Sequence, residues 1–172
     1  IVETDGGHSS APPKENTLGI LAQAIVDLEK NQLPYKLVEP INHQIEFIGA
    51  ELPLSKKIAF ANPWLFKNPI LEALNAHTTT APTIISGGVK NNVIPTVAEA
   101  TINFRILPGE TIESVKKHII RTVSDKVRVE SVGFLTNPSP VSSIDSEGFK
   151  ILEKTIRGMF PKSIVVPGLV GG

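Results

Sequence analysis

A strict alternation of apolar and polar side chains between residues 98 and 106 constrains the fold of this chain more than any other feature. The apolar positions are Ala98, Ala100, Ile102, Phe104 and Ile106, and the polar ones are Glu99, Thr101, Asn103 and Arg105. Successive side chains of a β-strand point to opposite faces, so one face here is apolar and the other polar. The pattern predicts a strand of an antiparallel sheet that is covered on one side only.

The elements around this strand predict an α+β architecture. The expected elements are a strand at residues 1–5, a helix at Thr17–Glu29, a strand at Thr83–Ser86, a helix after the capping residue Thr111 and a strand at Lys126–Val132. The order strand, helix, strand, strand, helix, strand is typical of the ferredoxin-like βαββαβ sandwich. In that fold two helices cover one face of a four-stranded antiparallel sheet. We therefore expect residues 1–134 to form one such domain.

Two further segments differ from this domain in their proline content and in the spacing of their apolar residues. Residues 35–80 contain several prolines, and the apolar spacing around Ile41–Leu52 together with Asn68-Pro69 predicts short helices, so we interpret the stretch as a helical insertion after the first helix. Residues 135–172 begin with a Pro-rich linker and continue with a helix at Ser146–Met159 and a short strand at Ser163–Val166. That helix and strand have no partner in the four-stranded unit, so they are expected to start a second domain.

Composition excludes several classes of function. The 17 basic and 17 acidic residues cancel, with no basic stripe for a nucleic acid and no cationic amphipathic face for a membrane surface. There is no apolar run long enough to span a bilayer and no cysteine for thiolate or disulfide chemistry. The chain starts at Ile1 without a signal sequence and stops at Gly172, so we interpret it as cut from a larger protein and leave the compartment open.

The run Asp5-Gly6-Gly7-His8-Ser9-Ser10-Ala11-Pro12-Pro13 is the strongest candidate for a functional corner. Glycines permit a tight turn, and an imidazole is suited to proton transfer near neutral pH. Ser9 and Ser10 are expected to cap the helix that follows. Two readings of His8 remain open at this point: a side chain presented to a ligand, or a solvated histidine in a Gly-rich loop.

Arg105 and Asn92 are the other candidates. A guanidinium on the polar face of the alternating strand can bind a carboxylate, but by its position alone Arg105 fits an ordinary surface arginine near Glu99. Asn92 could donate to a ligand or simply occupy a turn. The four histidines have no chelating spacing and no nucleophile motif is present, so the chain alone is predicted to bind no metal and to lack the parts of an enzyme. An imidazole, an amide and a guanidinium suit an anionic, carbonyl-containing ligand.

Three segments together resemble one known family. They are Gly6–Pro13, Thr83–Pro95 with its Gly87-Gly88-Val89-Lys90-Asn91-Asn92-Val93-Ile94-Pro95 run, and Ala98–Pro108. They are similar to the lid or dimerisation domain of the zinc-dependent metallopeptidases that include acetylornithine deacetylase, succinyl-diaminopimelate desuccinylase, aminoacylase and carboxypeptidase S. The Ser-Ser-Ala-Pro-Pro sequence and the long insertion make the chain most similar to the carboxypeptidase S-like branch of this family.

The resemblance implies a division of labour. The catalytic domain of such a protein holds two zinc ions, and their ligands have no counterpart in this chain. His8 would stabilise the scissile carbonyl oxygen in the partner subunit of a homodimer, and Asn92 and Arg105 would bind the carboxylate of an N-acyl amino acid or small peptide. This chain alone would then be inactive. The alternative is a stand-alone regulatory module of the same fold that binds an amino acid at a dimer interface.

Overall fold

A computed structural model describes residues 1–54, 57–58 and 69–169 of the chain. The helix cap expected at Asn68 and the last three residues lie outside this range. The chain divides into two compact units, and each is described by itself. The first unit comprises Ile1–Pro34, Thr78–Ile106 and Glu110–Asn137, and the second comprises Tyr35–His77, Leu107–Gly109 and Pro138–Gly172.

The first unit is built on antiparallel strands. Its elements are β1 (Val2–Glu3), β2 (Gly7–His8), α1 (Thr17–Lys30), β3 (Thr79–Gly87), β4 (Val93–Ile94), β5 (Val97–Arg105) and α3 (Ile112–Thr122). β5 lies between β1 and β3 in a three-stranded sheet, and β2 pairs with β4 in a separate two-stranded ribbon. Strands and helices share this unit, which makes it α+β.

The alternating stretch forms β5, as predicted. Ala98 is buried and the apolar residues after it are half-buried, whereas Glu99, Asn103 and Arg105 are exposed. α1 packs against all three strands and contacts α3. Leu21 of α1, Val2 of β1 and Ala98 form the buried cluster between helix and sheet. Burial of this apolar face stabilises the unit and leaves the polar face of β5 uncovered by α1.

Side chains fix where the two helices begin. The carboxamide oxygen of Asn16 accepts from the backbone N–H of Gly19 over 2.9 Å, so Asn16 caps α1 and the prediction that Ser9 and Ser10 do so was wrong. Pro12 and Pro13 separate those serines from the helix. The cap predicted at Thr111 is confirmed, because Thr111 and Ser114 form a reciprocal capping box at the start of α3.

Three predicted strands are shorter or missing. The strand expected at residues 1–5 covers only Val2–Glu3. Where a full strand was expected at Lys126–Val132, the structure has a single antiparallel bridge between Val127 and Val2. Ile1 and Arg128 exchange backbone hydrogen bonds of 2.8 and 2.9 Å beside it, and the ladder is short because β1 offers only two strand residues. The strand expected at Ser163–Val166 is not formed: the N–H of Ser163 closes a turn onto the carbonyl of Phe160 instead.

The second unit is helical in its described part. α2 (Glu39–Glu51), a helical stretch at residues 69–73 and α4 (Glu147–Met159) belong to it, which confirms the predicted helices of the insertion and of the tail. Ile41, Ile45, Leu71 and Ala76 form its buried core. Within the residues that the structure describes, no helix combines the length and the apolarity that crossing a membrane requires.

Candidate functional site

The predicted corner is formed by the ribbon of β2 and β4. Gly7 faces Ile94 and His8 faces Val93 in an antiparallel register, and the N–H of Ser9 donates to the carbonyl of Asn92 over 3.1 Å. The ribbon therefore brings together the Gly-Gly-His motif and the Asn-Asn-Val-Ile-Pro motif, two of the three segments that carried the family resemblance.

Gly6 permits the sharp entry into this ribbon. Its φ is +69°, and a Cβ at this position would lie 2.8 Å from the carbonyl oxygen of Ile94 and 3.0 Å from Cγ2 of Thr96. Only a residue without a Cβ fits such a close approach in the left-handed region. The predicted role of glycine at this corner is thus confirmed by its geometry.

A chain of hydrogen bonds anchors the base of the ribbon, and no sequence pattern pointed to it. The hydroxyl of Thr17, which is fully buried, donates to the carbonyl of Pro95 over 2.6 Å. Because the one proton of Thr17 is used there, Thr4 donates its own hydroxyl to Thr17 over 2.6 Å. The N–H of Gly6 in turn donates to Thr4 Oγ1 over 3.3 Å. The start of α1 thereby holds both sides of the corner.

His8 is exposed, and its ring makes defined contacts. Nδ1 lies 2.8 Å from Ser10 Oγ and accepts from the backbone N–H of Ser10 over 3.3 Å. In the part of the chain that the structure describes, Nε2 of His8 has no hydrogen-bond partner. The imidazole is thus bonded on one nitrogen and open on the other.

Asn92 directly precedes Val93, the residue that faces His8, and its carbonyl bonds the N–H of Ser9, so the backbones of Asn92 and His8 are close; the side chain of Asn92 is exposed. A cleft of about 550 Å³ lies beside this corner; Ser9, Asn91 and Val93, the chain neighbours of His8 and Asn92, line it, whereas His8 and Asn92 themselves do not. Its lining residues are Ser9, Asn16, Leu18, Gly87, Gly88, Val89, Lys90, Asn91, Val93, Ile94 and Pro95. Aliphatic side chains, amides and one lysine therefore border a space beside the His8 corner. The Gly87–Pro95 motif supplies most of its lining, but the cleft itself was not predicted from the sequence.

Arg105 lies at the other end of β5 from this corner. It is exposed and faces Thr79 across the β5–β3 ladder. β5 extends over eight residue steps from Val97, which at ~3.3 Å per residue amounts to about 26 Å. Glu99 lies six positions away on the same strand, and Arg105 makes no side-chain hydrogen bond or ion pair with it or with any other residue described. The structure thus brings His8 and Asn92 together and keeps Arg105 apart.

No metal centre is formed by the residues described. Over residues 1–54, 57–58 and 69–169, no three histidine, aspartate or glutamate side chains are grouped so that they could hold a metal ion. The donors available at the ribbon, an imidazole and an amide, are suited to binding a carbonyl or carboxylate oxygen rather than to chelation.

Comparison with known proteins identifies the family. The model of the peptidase dimerisation domain matches residues 1–130, which is most of the chain. The chain belongs to this family. The resemblance inferred from the three motifs is therefore confirmed, and the ribbon and β5 both lie inside the matched range.

Individual relatives are carboxypeptidase-like proteins and N-acyl amino acid hydrolases. A probable carboxypeptidase S-like protein of Dictyostelium discoideum is 40% identical over 175 residues, covering 96% of this chain and 33% of the relative. The human N-fatty-acyl-amino acid synthase/hydrolase PM20D1 is 39% identical over 173 residues, covering 94% and 34%. Yeast carboxypeptidase S is 33% identical over 118 residues, covering 59% and 20%.

The chain thus spans about a third of the length of the curated relatives that match it over most of its own length. No solved structure matches it significantly.

Proposed function

We propose that this chain is the dimerisation and substrate-binding lid of a zinc-dependent carboxypeptidase or aminoacylase. The whole protein would hydrolyse the amide bond of an N-acyl amino acid or a small peptide with a free carboxylate. The family match and the names of the relatives, carboxypeptidase S and N-fatty-acyl-amino acid hydrolase, support this class of reaction. The observation that carries the proposal is the ribbon that presents His8 and Asn92 together.

His8 would contact the reacting end of the substrate, and Asn92 would bind its carboxylate end, as the resemblance implies. The open Nε2 of His8 would donate a hydrogen bond to the scissile carbonyl oxygen as negative charge develops on it. The exposed amide of Asn92, which directly precedes β4, would bind the substrate carboxylate together with Arg105. Both groups are held on paired backbone, which reduces the freedom that has to be lost when substrate binds.

Arg105 would serve a different active site from the His8 of its own chain. A guanidinium and an imidazole at opposite ends of a strand about 26 Å long cannot both reach one small substrate. If His8 reaches across the dimer, Arg105 therefore binds the substrate carboxylate in its own subunit's site. Each site then uses His8 and Asn92 from one protomer and Arg105 from the other.

The edge of the sheet supports self-association. β3 pairs with β5 on one side, and within the described residues nothing pairs with its other side. Ile84 and Ile85 on this strand are each 62% exposed. A free edge with apolar side chains is suited to strand addition by a second copy, and a two-fold axis is the commonest symmetry for such a contact.

The sheet order is consistent with a ferredoxin-like sandwich. The Val127 bridge lies on the free side of β1, so the segments follow the order Val127, β1, β5, β3 with α1 packed against the three strands. A longer ladder at Val127 would complete the four-stranded sheet.

The zinc ions of such a protein would be held outside this chain. The described residues include no cluster that fits a metal ion, so the ligands would come from the catalytic domain. The contribution of this chain is then to bind, orient and stabilise the substrate, and to join the subunits.

Mixed dimers of the full-length protein test the proposal. His8→Ala should lower kcat by about 10²–10³ while the dimer and its zinc content stay intact. A second mutant, inactivated at a zinc ligand, retains His8. Random mixing gives hybrids in half of the dimers, each with one complete site, so about a quarter of the wild-type activity should return.

Arg105→Ala provides the matched control for this experiment. If Arg105 acts in its own subunit, mixing that variant with the zinc-ligand mutant restores no activity, because neither site in the hybrid is complete. Hybrids of the His8 variant that form and stay inactive would refute the role of His8 across the dimer. Full activity of His8→Ala itself would remove His8 from the catalytic machinery, whereas the regulatory-module alternative expects no hydrolysis even from the unsubstituted protein.

A further inference from the structure

Ser10 makes two contacts with the same atom of His8. Its hydroxyl oxygen lies 2.8 Å from Nδ1, and its backbone N–H donates to Nδ1 over 3.3 Å. We propose that Ser10 is a positioning residue for His8, which holds the ring in one orientation and keeps its proton on Nε2. This inference rests on the proposed function, in which Nε2 donates to the substrate.

The contacts fix which nitrogen carries the proton. The backbone N–H of Ser10 can only donate, so this contact requires an unprotonated Nδ1. With Nδ1 as acceptor, the Ser10 hydroxyl at 2.8 Å is a second and shorter donor to the same nitrogen, and it favours the same tautomer. In a neutral imidazole the single proton is then on Nε2. Nε2 is also the nitrogen that has no partner among the described residues, so the tautomer selected by Ser10 is the one that presents a donor outward.

The local backbone holds Ser10 in place for this task. The N–H of Ala11 donates to the carbonyl of His8 over 3.0 Å, which closes a turn with Ser10 at its third position. Pro12 and Pro13 follow, and their fixed φ angles restrict the way the chain leaves the turn. The ring is therefore oriented by its own loop before a substrate arrives, which lowers the entropy lost on binding.

A double-mutant cycle in the full-length protein tests the proposal. Ser10→Ala should lower kcat by about 3- to 10-fold, the equivalent of one neutral hydrogen bond, with KM little changed. In the His8→Ala background the same substitution should have no further effect, because no ring remains to be positioned. Ser10→Thr keeps the hydroxyl and should retain most of the activity. Ser131→Ala changes an exposed serine of the same unit and should leave kcat unchanged.

The outcomes separate this inference from the proposed function. An equal loss from Ser10→Ala in both backgrounds, or no loss while His8→Ala is strongly impaired, overturns the positioning role and leaves the proposed function intact. A full-rate His8→Ala protein overturns both. A second readout follows the ring directly: in the chain labelled with ¹⁵N-histidine, the His8 nitrogens should report the Nε2–H tautomer. Ser10→Ala keeps the backbone N–H but removes the shorter hydroxyl contact, so it should raise the fraction of the other tautomer. An unchanged ratio overturns the proposal.

Discussion

Gly6 approaches the carbonyl oxygen of Ile94 so closely that a Cβ on Gly6 would lie 2.8 Å from it. The neighbour is backbone, which cannot swing aside as the end of a long side chain could. The corner that carries His8 therefore depends on the absence of a single carbon atom.

Gly6→Ala should destabilise the chain by about 1–3 kcal/mol, because it adds this clash to a left-handed backbone conformation. Thermal or denaturant unfolding measures the loss. Gly158→Ala is the matched control, since nothing lies within 4 Å of its Cβ position in α4. We expect that helical substitution to be neutral or stabilising by up to ~1 kcal/mol. Equal effects of the two substitutions would contradict the close approach at Gly6.

Thr17→Val should also destabilise the chain, by about 1–3 kcal/mol, because it leaves the carbonyl of Pro95 and the hydroxyl of Thr4 without their partner. Valine has nearly the same shape, so packing changes little. Thr155→Val removes a hydroxyl that bonds the carbonyl of Ile151 on the exposed face of α4, and should change the unfolding free energy by less than ~0.5 kcal/mol. If both variants unfold alike, the hydrogen-bond chain contributes nothing particular to the corner.

The features that could be predicted from the sequence are those determined by residues close together along the chain. The strand β5 and the helix α1 were predictable, because the apolar periodicity of each is written in its own residues. The Thr111 cap was predictable for the same reason. Ser9 and Ser10 were assigned to the wrong task, since a serine before a helix also fits other roles and only the structure shows Asn16 at the N-cap.

The features that the sequence did not predict depend on partners that lie far away along the chain. Lys126–Val132 has a strand-like pattern, but a ladder needs a neighbour, and β1 supplies only two residues. The bond between Thr17 and the Pro95 carbonyl likewise joins distant segments, so no window of sequence contains it. At the site, the motifs named His8, Asn92 and Arg105, while the separation of Arg105 from the other two required the register of β5.

Arg105→Ala in the full-length protein removes a charged hydrogen bond worth roughly 1.5–3 kcal/mol if the guanidinium binds the substrate carboxylate. kcat/KM should fall for substrates with a free carboxylate and change little for their amidated analogues. Asn103→Ala, two residues away on the same exposed face of β5, should affect neither class. An equal loss on both classes of substrate would make Arg105 a structural residue.

Ile85→Lys should weaken the dimer of the full-length protein at least tenfold, because a two-fold contact places the new charge in the interface twice. Sedimentation velocity over a range of concentrations gives the dissociation constant. Val132→Lys introduces the same charge at a similarly exposed position of the same unit, 64% against 62% exposed, away from β3. Dimers of undiminished stability in the Ile85 variant would move the contact to another surface.

The length of β5 has a consequence for how such a protein can change its substrates. If two copies pair along β3, each active site lies between His8 of one chain and Arg105 of the other. The register of that pairing then sets the distance between these two residues. A slip of two residues would move one end by about 7 Å relative to the other. The subunit contact then sets the distance between the two substrate-binding groups as well as joining the subunits. Substrate size can therefore be changed by altering the alignment of two strands that do not themselves contact the substrate.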